Sequence, residues 1–155
     1  MKSYLFLLIS AWFILSCNKE KTATITESAA KTDTLLQKDG TVLTFEKHHV
    51  PLIKMKRDQS QYSTGYAARL EKIAQYYLAN TQQSLVKYQL ENPDASLGYS
   101  VEENDWEDVD YTQIGIFNKS GSNVSTLQWL FYEPNSQKLY EFDLNKKQLQ
   151  EFPMK

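Results

Sequence analysis

Cysteine is almost missing from this chain. One residue, Cys17, stands among 155, so neither an internal disulfide framework nor a cysteine-based zinc finger can form. Histidine is nearly as scarce, and the two present, His48 and His49, are adjacent. Neighbouring side chains on a strand point to opposite faces, so this pair cannot grip one metal ion unaided. The five glycines are scattered singly, which leaves no phosphate-cradling loop, and no Gly-x-Ser-x-Gly elbow is present. The expectation is therefore a protein without enzymatic activity, cofactor or resident metal. A glycosidase working with two carboxylates alone needs none of these features, and the chain is small for that work. Strong positive charge is missing too. Seventeen Lys and Arg face nineteen Asp and Glu, for a net charge of −2 and an isoelectric point near 5.7, which argues against nucleic acid as a partner. No apolar run approaches the roughly 20 residues that a bilayer-spanning helix requires. What the chain does have is 41% hydrophobic and 13% aromatic residues, enough to bury one core.

The amino terminus is organised differently from the rest. Met1-Lys2-Ser3 is a short positive stretch, and Tyr4 to Leu15 forms an apolar run of twelve residues broken only by Ser10. That is the length of a signal-peptide core rather than of a membrane span. The run closes on Ile14-Leu15-Ser16-Cys17, which resembles the lipobox of bacterial lipoproteins. The resemblance implies a diacylglycerol thioether on Cys17, cleavage after Ser16 and acylation of the new amino terminus. An ordinary signal peptide that happens to end near a cysteine is the alternative. Two or more acyl chains hold a protein firmly to a membrane, each buried methylene contributing about 0.8 kcal/mol. Asn18 stands where many lipoproteins retained at the inner membrane carry Asp, which directs the expectation to the outer membrane of a Gram-negative bacterium.

Asn18 to Asp33 is poor in large apolar residues and rich in Thr, Ser, Ala, Lys and Glu. Residues 17–33 thus read as a lipidated flexible tether, with residues 1–16 as the leader and 34–155 as a single domain. Asp33-Thr34-Leu35 also resembles an O-glycosylation acceptor used by some Gram-negative bacteria.

An α+β fold is expected for the domain. Leu35 to Phe45, with Asp39-Gly40 between two apolar stretches, reads as an amino-terminal hairpin. His48 to Pro51 closes it, the proline confining any strand there to an edge. Between Ser63 and Glu91, Tyr66, Leu70, Ile73, Tyr77, Thr81, Leu85 and Tyr88 recur at helical spacing on one stripe. Ser63 or Ser60 supplies the N-cap, and Asn92-Pro93 the stop. A single helix there would be about 42 Å long, so one long helix and two shorter ones broken near Asn80-Thr81 are both open. From Tyr111 the period becomes two. Strands are expected at 111–118, 124–133, 138–144 and 148–152, connected by short turns into an antiparallel meander. Leu127, Trp129 and Phe131 would share one face, as would Tyr140, Phe142 and Leu144.

One segment draws attention as a site. Glu102, Glu103, Asp105, Glu107, Asp108 and Asp110 place six carboxylates within nine residues around Trp106. The plain reading is a solvated, like-charge loop joining helix to sheet. A second is a docking patch for a basic envelope protein, with Trp106 as its apolar anchor. A third is calcium, although the spacing lacks the glycine and distal glutamate of a helix-loop-helix site. The functional expectation is a membrane-anchored, non-enzymatic binding or scaffold module. The alternative is an inhibitor or immunity protein that neutralises a basic hydrolase or toxin.

Overall fold

The computed structural model describes residues 32–48, 52–55 and 62–155. The leader, Cys17 and nearly all of the expected tether lie outside these residues. The fold is α+β. A hairpin of β1 (Thr32–Leu36) and β2 (Val42–Glu46) is followed by β3 (Ile53–Lys54), α1 (Thr64–Asn80), α2 (Ser84–Glu91), β4 (Leu97–Trp106), β5 (Val109–Ser120), β6 (Asn123–Glu133), β7 (Lys138–Asp143) and β8 (Gln148–Phe152). Strands β3 to β8 form one six-stranded sheet in chain order. All its pairings are antiparallel except the short β3–β4 contact.

Local chemistry accounts for most of these boundaries. Gly40, at φ +88°, turns the first hairpin, and the Asp39 carboxylate accepts from the Thr41 N–H at 2.8 Å. The Ser63 hydroxyl accepts from the Tyr66 N–H at 3.2 Å and opens α1. The long helical pattern is broken. The Thr81 N–H still bonds the Tyr77 carbonyl, but Thr81 is extended and its buried hydroxyl accepts from the Gln83 N–H at 3.1 Å just ahead of α2. The break rotates the second helix. Leu70, Ile73, Tyr77 and Thr81 are buried as the stripe requires, whereas Leu85 and Tyr88 are 50% and 65% exposed and Val86 takes the buried position.

Helix α1 is covered on two sides. Toward the sheet, Tyr66 bonds Thr112 at 2.7 Å, Arg69 Nε donates to the Tyr132 hydroxyl at 2.9 Å and Tyr77 donates to Glu141 at 2.7 Å. Toward the first hairpin, Tyr76 meets Phe45 edge-on at 5.5 Å, and Lys72 bonds Asp33 at 2.9 Å. Asp33 is thus part of β1 rather than of a tether, and its carboxyl lies below the ordinary value because, against the opposing effect of burial, Lys72, the Thr34 N–H and Lys47 favour its ionised form. Tyr99, Val101, Ile114, Ile116, Leu130, Tyr132 and Leu139 complete the core on the helix-facing side of the sheet.

Two strand faces differ from expectation. The β5–β6 pairing slips between Ile116 and Phe117 and leaves Leu127 as an extra residue on β6. This bulge turns Leu127 toward the main core and parts it from Trp129 and Phe131. Leu144 lies beyond β7, in the turn, and is 71% exposed. Strands β5 and β6 extend past the expected 118 and 124 to a tight turn at Gly121-Ser122.

Candidate functional site

The acidic segment is a β-hairpin, which corrects its reading as a loop. Glu102 to Trp106 end β4, Glu107-Asp108 make the turn and Asp110 stands near the start of β5. Pairing runs without interruption from Leu97↔Asn118 to Trp106↔Val109. The sequence disguised this because Asp, Asn and Glu are poor strand formers, and only the partner strand supplies the register.

That register distributes the carboxylates. Glu103, Asp105 and Asp110 share the helix-side face, Glu102 lies on the other, and Glu107 and Asp108 sit at the tip. Asp105 and Asp110 are directly opposed, a like-charge cross-strand pair that destabilises the hairpin. Glu107 and Asp108 adopt φ +50° and +63°, the left-handed values that a two-residue hairpin turn demands and that Asn and Gly take most readily. Farther from the tip, the Tyr62 hydroxyl donates to Glu103 and the Asn104 amide donates to Gln113. Among the described residues, no group of three or more His, Cys, Asp or Glu is arranged to hold a metal ion. His48 is intermediate in exposure, and His49 lies outside the described residues.

The opposite face of the sheet carries a second aromatic cluster. Trp106 packs edge-on against Phe131 at 5.9 Å and Phe142 at 5.3 Å. Tyr111 does the same against Phe131 at 5.7 Å and Tyr140 at 5.8 Å. Edge-to-face pairs of this kind contribute about 0.5–1.5 kcal/mol each beyond burial. Trp106, on the first strand of the hairpin, thereby reaches rings on β6 and β7, so the hairpin end curls over this face of the sheet. Nearby, Trp129 lies across Gly115, where an added Cβ would meet its ring at 2.6 Å. Burial first, then Tyr140 and the carboxylates of Glu133 and Glu107, raise the Tyr111 phenol above its ordinary value.

A groove of about 350 Å³ opens at the hairpin tip, lined by Trp106, Glu107, Val109 and Tyr111 on one side and Gln148 and Leu149 of β8 on the other. Sequence reasoning singled out Trp106 but missed Tyr111, Phe131, Tyr140 and Phe142 as its companions. The signal was present in Leu130-Phe131-Tyr132. Three consecutive large apolar residues in a strand mean that both faces are covered. Thr34 is exposed on β1, and no helix among the described residues is long and apolar enough to cross a membrane. Comparisons with protein-family models, curated proteins and solved structures found none that the chain matches.

Proposed function

We propose that this chain is a lipid-anchored, non-enzymatic binding module of the bacterial envelope, held through Cys17 at the outer membrane, whose acidic hairpin docks a basic protein. The anchor rests on Ile14-Leu15-Ser16-Cys17. The observation that carries the docking half is the hairpin end. Trp106 is pinned by two rings on one face of the sheet, while Asp105 and Asp110 stand in direct opposition on the other and Glu107 and Asp108 form the tip between them. Such an arrangement costs stability in isolation and gains it against a cationic surface. Aromatic anchors flanked by charge are the pattern in which a few residues carry most of an interface's energy. The test is capture from envelope extracts with the full lipidated chain in detergent, wild type against Asp105→Lys with Asp108→Lys. The wild type is expected to retain basic proteins that the charge-reversed chain loses. A basic hydrolase among them would make the module an inhibitor. Identical sets of captured proteins would contradict the docking role.

A further inference from the structure

The groove at the hairpin tip has walls of two chemical kinds. Trp106 lines it together with the Glu107 carboxylate, and Tyr111, itself buried, backs the same space. Aromatic faces carry negative potential that attracts a cation, and more strongly when water is partly excluded. The rings are set before any partner arrives: each is braced by two others, Trp106 by Phe131 and Phe142, Tyr111 by Phe131 and Tyr140. A braced site loses little side-chain freedom on binding.

The surroundings favour one sign of ligand. From Tyr88 to Asn118 the chain has eight carboxylates and neither lysine nor arginine. Of the lysines in the β7–β8 turn, Lys146 is engaged by Asp143 at 3.4 Å, and neither it nor Lys147 lines the groove. An anion would be repelled here, and a neutral apolar group would strip water from Glu107 with no compensation. A volume of about 350 Å³ suits one long side chain with some of its water rather than a folded element, at the lower end of small-ligand sites.

We infer that this groove receives a lysine or arginine side chain of the docked protein, its cationic head against the Trp106 ring and the Glu107 carboxylate. The inference rests on the docking reading above and gives it a specific point of contact.

The test uses the full chain in detergent at low salt, with fluorescently tagged hexalysine as the probe and side-chain-acetylated hexalysine as its neutral counterpart. Fluorescence anisotropy is expected to show binding of hexalysine and not of the acetylated peptide. Trp106→Leu keeps every carboxylate and is expected to weaken binding about tenfold, the loss of a partly desolvated cation–π contact. Trp106→Phe should restore most of it. Glu107→Gln, at an exposed turn position that leaves the aromatic cluster intact, should weaken binding about threefold and guards against a folding defect in the tryptophan variant. If Trp106→Leu and Glu107→Gln bind as the wild type does while Asp105→Asn with Asp110→Asn does not, attraction is diffuse. The groove is then overturned while the docking hairpin stands. No binding of hexalysine by the wild type overturns both.

Discussion

Glu107 and Asp108 are two of the four described residues other than glycine that adopt positive φ, with Gln137 and Lys147. At such values Glu107 incurs about 1–2 kcal/mol, and Asp108, whose short side chain tolerates the left-handed region, incurs less. Asp105 faces Asp110 across the same ladder, adding like-charge repulsion of about 0.2–1 kcal/mol. Residues that spend stability in this way are where function is expected, because proteins rarely sit at their stability optimum. The consequence can be checked at the two tip residues. Replacing Glu107 by Asn together with Asp108 by Gly supplies the preferred turn pair. Thermal unfolding followed by near-ultraviolet circular dichroism should show a gain of about 1 kcal/mol, while capture of basic proteins weakens. A drop in melting temperature would mean that the two side chains support the fold instead.

At the scale of elements, turns and caps were the legible part. Asp39-Gly40, Ser63 and Asn92-Pro93 act through their own backbone preferences, and each marks a boundary found in the structure. Legibility ended where a neighbour decides. Strand β4 combines poor strand formers with a register imposed by β5, so its charges masked its pairing. The three residues at 81–83 break the helical phase, and continuity of the stripe past Thr81 was a property of the sequence alone. The same break yields a prediction with two arms. Val86 is fully buried and Tyr88 is 65% exposed. Val86→Ala should therefore destabilise by about 2 kcal/mol through lost burial and a residual cavity, and Tyr88→Ala by less than about 0.5 kcal/mol. Chemical denaturation reads both, and the reverse order would restore a continuous helix. The candidate site was legible in composition but not in geometry. Six carboxylates around Trp106 are plain in the sequence, whereas the rings that brace Trp106 come from β6 and β7, 25 and 36 residues downstream at Phe131 and Phe142.

On the scale of the whole molecule, the sheet has two apolar faces covered by different means. The helices and first hairpin bury one, and the other is closed in part by its own hairpin end, where the acidic tip and groove remain accessible. Strand β1 begins at Thr32, 15 residues after Cys17 in sequence. A chain anchored through Cys17 would thus hold its folded domain close to the membrane. Confinement of this kind raises effective concentration and lets a modest side-chain contact support durable association. In the proposed function the anchor is what would turn an acidic hairpin into a docking module at the membrane, and lipid on Cys17 is its central claim. Growing cells with labelled palmitate and isolating the full-length gene product tests it directly. The account predicts label in the wild-type protein and none in Cys17→Ala, with the variant lost from the membrane fraction. Equal labelling of the two, or an unlabelled wild type, would contradict it.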